Sequence, residues 1–215
     1  MINLENLYFE KLKETFYEDL IKVKNPTILE FGVRQGVSTK LFIDICKNNA
    51  GKLYSVDLDD YSNKFSSPVW KFIHSRDDNY EFVTKNIPKK FDLIYLDSFH
   101  DALHVKKIFY YYYSFLKKGG YFIIDDISWI LYSKNNIREH FNSEINNQET
   151  FSEILKIFNT NMQNFDLNFN FKGSGMAKIF KKNENHLEKE KYIISRKYSL
   201  KNFIRKIWRI FKKNY

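Results

Sequence analysis

Apolar residues in this chain fall into short unbroken runs, set apart by stretches in which they recur every three or four positions. The runs are TILEFG (27–32), KLYSVDL (52–58), WKFIHS (70–75), FDLIYLD (91–97) and GYFIIDD (120–126). Each is short enough for a strand, and none alternates cleanly with polar residues, which is the pattern of strands buried on both faces. Between them lie helical spacings. Residues 3–23 carry Leu7, Phe9, Leu12, Phe16, Leu20 and Ile21 at roughly helical spacing before Asn25-Pro26 stops the helix. Residues 33–48 do the same with Val37, Leu41, Phe42 and Ile45, residues 78–87 form a short helix closed by Pro88, and Ala102–Leu116 forms another. Lys117-Lys118-Gly119-Gly120 reads as its stop. Strands alternating with helices predict an α/β fold around a parallel sheet. Residues 135–160 read as a polar helix, and DLNFNF and MAKIFKK, joined through Gly173-Ser174-Gly175, as a closing antiparallel hairpin.

Composition narrows the class. With 43% apolar residues and 215 positions the chain should fold as one domain. The single cysteine, Cys46, forms no intramolecular disulfide, fits a reducing cytoplasmic setting and is expected in the core. No run of about 18 apolar residues could span a membrane, and the N-terminus lacks a signal-peptide core. ENLYFE (5–10) resembles a protease-tag site but ends in Glu10 and is read as native. The net charge of +9 is unevenly placed: residues 183–215 hold ten Lys/Arg and three Glu, a net +7, leaving +2 for the other 182. The body is near neutral, which argues against a nucleic-acid groove on it, and no DNA partner is expected. The chain divides into a body, 1–182, and a basic tail, 183–215.

In a parallel sheet the carboxyl ends of the strands share one edge, and ligands bind there. Glu30, Asp57, Asp97 and the adjacent Asp125 and Asp126 all sit at or near such ends. The loop EFGVRQGVS (30–38) carries two glycines, Gly32 and Gly36, so the three-glycine dinucleotide fingerprint is absent. A glycine loop with an acid at the second strand end suits a nucleoside cofactor without a pyrophosphate.

ILEFGVRQGVST, YSVDL, FDLIYLDSFH and LKKGGYFIIDD, in that order, resemble class I S-adenosylmethionine-dependent methyltransferases. Among them the chain is most similar to the bacterial group of macrocin-type sugar O-methyltransferases and cephalosporin-hydroxylase-like proteins. The resemblance covers roughly residues 26–126, with weaker support from the final hairpin. It implies a Rossmann-like seven-stranded sheet, mostly parallel with the last strand antiparallel, and helices on both faces. It places Glu30, Gly32 and Gly36 at the methionine part of the cofactor, with Arg34 and Ser38 in the same loop. Asp57 would bind the ribose and Ser75 to Asp77 the adenine, although HSRD stands where the family more often has Gly-Asp. Asp97 also borders the cofactor. By the same resemblance Asp97, Asp125 and Asp126 hold Mg²⁺ or a similar divalent cation, which would relieve the repulsion within the acidic pair. Asp97 and His100 would be catalytic, with His100 taking the acceptor's proton. After His100 the chain has Ala102 and Ile108, where relatives often have a tyrosine and an acid.

Plainer readings stand beside these. Glu30 would be a buried acid paired with Arg34, Asp125 a ligand of loop amides, Asp126 a turn cap, and His100 a helix cap or partner of Asp101. His104 falls on the helix surface and His74 is structural. Tyr110–Tyr113 face the sheet, and Trp129 and Tyr132 form either a substrate wall or core.

The tail SLKNFIRKIWRIFKK (199–213) puts Leu200, Phe203, Ile204, Ile207, Trp208 and Phe211 on one stripe. Lys201, Arg205, Lys206, Arg209, Lys212 and Lys213 fill the rest. This predicts a basic amphipathic helix suited to an anionic membrane surface, or docked on the body or on a second subunit of a homo-oligomer. The expected protein is a cytoplasmic O-methyltransferase on the inner membrane face, acting on a small-molecule or glycan hydroxyl with metal assistance. An RNA methyltransferase and an inactive cofactor-binding scaffold are the alternatives.

Overall fold

The computed structural model describes residues 4–129, 141–191 and 199–211. Seven strands form one sheet: β1 (Thr27–Phe31), β2 (Lys52–Asp57), β3 (Trp70–His74), β4 (Phe91–Leu96), β5 (Leu116–Asp125), β6 (Phe165–Asn170) and β7 (Met176–Lys181). Their order is β3-β2-β1-β4-β5-β7-β6. β1 to β5 pair in parallel, and β7 lies antiparallel between β5 and β6. The order reverses between β1 and β4, so their carboxyl ends open the crevice in which such folds bind ligands.

The helices are α1 (Leu4–Leu12), α2 (Glu18–Leu20), α3 (Val37–Asn48), α4 (Tyr80–Asn86), α5 (Ala102–Tyr112), α6 (Phe141–Asn161) and α7 (Leu200–Phe211). A π-helical turn, Lys13–Tyr17, joins α1 to α2. Strand alternation divides the core in two. Leu29, Ile94, Leu96, Phe122 and Ile124 pack with Phe109 and Tyr112 of α5 and Ile154 of α6. Ile28, Leu93, Tyr95 and Ile123 pack on the other face with Phe42 of α3 and with Leu12, Phe16 and Leu20. Each buried side chain of this size contributes roughly 1.5–3 kcal/mol. Cys46 lies in this second core, its thiol pushed up to about 12 by burial. Of Tyr110–Tyr113, Tyr112 and Tyr113 are buried as expected, whereas Tyr110 is half-buried and Tyr111 is exposed, because four consecutive residues cannot share one helix face.

Two boundaries differ from expectation. Leu116–Gly120 belong to β5, with a register shift between Phe91 and Leu93, because the first tight turn has already ended the helix at Phe115. The expected polar helix is α6 over its described residues, Phe141–Asn161; positions 135–140 and Tyr132 lie outside the described residues. Residues 183–191 lie on the body: Glu184 pairs with Lys90 and Lys181, Glu190 with Lys106, and the Glu188 carbonyl accepts from Asn161. Two of the three acids of the expected tail, Glu184 and Glu190, are thereby paired on the body, and residues 192–215 contain eight Lys/Arg and no acid. No described helix is long and apolar enough to cross a membrane.

Candidate functional site

Two glycines shape the loop after β1. Gly32 has φ +96°, and a Cβ there would lie 2.0 Å from the Asp97 carbonyl oxygen. Gly36 has φ +83° and leads into α3. The loop is clasped by Asp57, whose Oδ2 accepts from the Val33 amide at 2.6 Å. Beneath it Glu30 is fully buried, accepting from the hydroxyls of Ser38 (2.6 Å), Thr39 (2.9 Å) and Ser55 (2.6 Å). Burial raises its carboxyl to about 7, against the pull of those hydroxyls.

Glu30 therefore neither faces a cavity nor pairs with Arg34; it ties the loop, α3 and β2 together, which corrects its expected contact with cofactor. A raised carboxyl pKa means that the folded state holds the proton more tightly than the unfolded chain. The contribution is complete below the usual carboxylate range, near pH 4.3, and is lost as pH rises to about 7. Glu30→Gln is expected to remove this loss, at most about 3 kcal/mol over that window. Urea unfolding of both proteins at pH 5 and pH 7.5 measures it; parallel pH dependence in the two would contradict the assignment.

Two cavities open at the carboxyl edge. The first, about 490 Å³, is lined by Asp57, Asp59, Ser75, Arg76, Asp77 and His104 among others. The second, about 580 Å³, is lined by Tyr8, Gly36, Ser38, His100, Asp125 and Asp126 among others. They share Gly32, Arg34, Asp97 and Ser98. Among the expected site residues, then, all but Glu30 border one cavity or the other.

In the first cavity Asp77 is nearly buried and accepts from Ser98 Oγ, while His104 Nε2 lies 2.9 Å from it. The bond to Asp77 raises His104 against the cost of burial. His104 is thus a cavity residue and not helix surface, and Asp101 is the cap that begins α5, accepting from the His104 amide at 2.8 Å.

The second cavity contains a chain of polar contacts that the sequence did not announce. Tyr8 OH lies 2.8 Å from Asp97 Oδ2 and 2.7 Å from Tyr95 OH, which donates to Asp125 Oδ2 at 2.8 Å. Burial, then the nearby carboxylates, push both phenols well above their usual range, so both stay protonated. The Asp97 carboxyl is driven well up by burial, then by Asp125 and Asp126, against the pull of the Tyr8 hydroxyl that donates to it. Asp125 is closed off: Lys11 Nζ donates to its Oδ1, as does the Asp126 amide at 2.7 Å. Lys11 is 1% exposed and also donates to Ser174 Oγ at 2.7 Å. His100 Nε2 stands 3.3 Å from Asp126 Oδ2 and 3.5 Å from Asp97 Oδ1.

The expected trio for a divalent cation does not fit this arrangement. Among the described residues, the group with metal-ligand spacing is Asp77, Asp78 and His104, within 4.8 Å of one another, and not Asp97, Asp125 and Asp126. Both oxygens of Asp125 already have donors, one of them an ammonium, so a second cation there would meet repulsion. The acidic pair that looked unstable in sequence is neutralised by Lys11 instead. Trp129, offered as a substrate wall or core, packs on Phe151 with ring centroids 4.3 Å apart.

Residues 29–127 match a family described as a methyltransferase domain. No curated protein matches the chain. Among solved structures, the MycE methyltransferase of mycinamycin biosynthesis, in complex with Mg, S-adenosylhomocysteine and mycinamycin VI, is 17% identical with a TM-score of 0.62; the match covers 86% of this chain and 52% of that one. The chain thus spans about half the length of MycE. The S-adenosylhomocysteine-bound Podospora anserina methyltransferase PaMTH1 is 15% identical with a TM-score of 0.59, covering 85% of this chain and 89% of that one. A Clostridium thermocellum protein provisionally named an rRNA methylase is 14% identical with a TM-score of 0.60, covering 81% of this chain and 97% of that one. The chain shares the fold of these proteins, and a fold alone does not fix the acceptor or the chemistry.

Proposed function

We propose that this protein is an S-adenosylmethionine-dependent O-methyltransferase acting on a hydroxyl of a sugar-like small metabolite, as its resemblance to the macrocin-type group suggests. The observation that carries this reading is the pair of cavities meeting over Gly32 and Asp97. The first suits a nucleoside: Asp57, at the end of β2, has the position of a ribose ligand, and Ser75 and Asp77 supply polar edges for a base. The second suits a small hydroxyl compound, because its polar groups converge on one volume beside His100. S-Adenosylmethionine supplies an electrophilic methyl group and leaves as a thioether.

The chain's own part is to orient the acceptor and remove its proton. With Nε2–H of His100 directed toward Asp126 and Asp97, Nδ1 carries the lone pair. A hydroxyl proton transferred to Nδ1 makes an imidazolium, which the Asp126 carboxylate stabilises. Holding acceptor and methyl donor in adjoining cavities supplies the remainder of the rate. His100→Gln is expected to lower kcat by roughly 10²–10⁴-fold and to leave S-adenosylhomocysteine affinity unchanged. Transfer of labelled methyl groups to a panel of sugars tests this; wild-type transfer that survives in His100→Gln would remove His100 from the role.

The tail adds a place of action. Leu200, Phe203, Ile204 and Trp208 of α7 are each more than half exposed, on a helix whose charges are all positive. The side chains of Arg209 and Phe211, and residues Lys212 and Lys213, lie outside the described residues. We take α7 to lie on an anionic membrane surface, the apolar stripe inward, each basic residue near the surface adding about 1 kcal/mol. Deletion of residues 199–215 is expected to abolish sedimentation with vesicles rich in phosphatidylglycerol; undiminished sedimentation would refute the membrane role.

A further inference from the structure

A cation is built in behind the wall of the acceptor cavity. Lys11 of α1 has its ammonium fully buried against Asp125 and Ser174, which line that cavity, and 4.8 Å from the centre of the Tyr8 ring. A lysine is placed in such a position only where its charge is used, since a buried ammonium without a partner is strongly disfavoured. Here its position is fixed from three sides. Asp125 and Ser174 hold the ammonium, the Tyr8 ring lies over it, and the Tyr8–Tyr95 pair connects Asp125 to Asp97. A second contact, His100 with Asp126, faces the open part of the same cavity. The acidic edge is therefore divided between two partners, Lys11 for Asp125 and His100 for Asp126.

We propose that Lys11 takes the place of a divalent metal in the acceptor site. In this role it is a positioning residue: it neutralises Asp125, fixes the Tyr95–Tyr8–Asp97 contacts, and leaves Asp126 to orient His100. The proposal deepens the reading of the second cavity as the acceptor site and rests on it. It assigns a function to α1, which is the element that brings both Lys11 and Tyr8 to the edge. It also implies that the site needs no exchangeable cation to be assembled.

Electron paramagnetic resonance titration with Mn²⁺ tests the idea on the full-length protein, with wild type, Asp126→Asn and Lys11→Ala compared. Wild type and Asp126→Asn are expected to give superimposable titrations, so that Mn²⁺ held at Asp77, Asp78 and His104 cancels in the comparison. Lys11→Ala is expected to gain an Mn²⁺ site of at least tenfold higher affinity, lost again on adding Asp126→Asn. A one-to-one Mn²⁺ site in wild type that Asp126→Asn removes would overturn the proposal, as would a folded Lys11→Ala protein with no gain. If Lys11→Ala does not fold, the comparison of wild type with Asp126→Asn still decides. S-Adenosylhomocysteine binding, measured separately, reports on the methyltransferase reading itself, so the two can fail independently.

Discussion

Gly32→Ala is expected to abolish S-adenosylhomocysteine binding and to lower stability by about 3 kcal/mol or more. Two effects act together. The backbone at φ +96° is disfavoured for any residue with a Cβ, at a cost of roughly 1–3 kcal/mol. The added carbon would also overlap the Asp97 carbonyl at 2.0 Å, and that neighbour is backbone and cannot swing aside. The loop after β1 would have to move away from β4, which separates the two walls shared by both cavities. Gly119→Ala separates strain from overlap, since Gly119 has φ +82° with nothing within 4 Å of an added Cβ. It is expected to cost about 1 kcal/mol and to leave ligand binding intact. Calorimetric titration of both variants checks this; wild-type affinity in Gly32→Ala would show that the loop is not the cofactor cradle.

Lys11→Met is expected to destabilise the fold by about 3–5 kcal/mol, because it leaves Asp125 buried beside an apolar chain. The cost should fall when Asp125→Asn is added, since the double variant contains no unpaired charge. A double-mutant cycle by urea unfolding measures the coupling. Lys11→Met alone costing under about 1 kcal/mol would mean that the ion pair contributes little to the native state. Burial favours the larger value: both side chains are 1% exposed, so solvent does not screen the lost interaction.

The strand ends were legible in the sequence, and the sheet brings them together as expected. Asp57, Ser75, Asp77, Asp97, His100, Asp125 and Asp126 all border the cavities. What the apolar runs could not show was which face each acid takes, since strands buried on both sides carry no polar alternation. Parity could have supplied it. Leu93, Tyr95 and Asp97 share one side of β4 and its extension, as Ile123 and Asp125 share one side of β5, and Tyr95 pairs with Ile123. Both acids therefore point to the face covered by α1. The polar residues of that helix at positions 8 and 11 then become candidates, but nothing in the local spacing places α1 over that edge. Glu30 was misread for a related reason. An acid beside a glycine loop suggests a ligand, whereas Ser38, Thr39 and Ser55, distant from one another in part of the sequence, form its actual surroundings. His104 was hidden because helical spacing assigns it to solvent, while the cavity between α5 and β3 reaches it.

The central claim is tested most directly by thermal unfolding of the full-length protein with S-adenosylhomocysteine, with and without Mg²⁺ and EDTA. A ligand at 100 times its dissociation constant stabilises by about 2.7 kcal/mol, which for a chain of this size raises the midpoint by roughly 5–10 °C. The predicted result is a shift of that size that neither Mg²⁺ nor EDTA alters. A folded protein whose midpoint does not move at saturating S-adenosylhomocysteine would contradict the account.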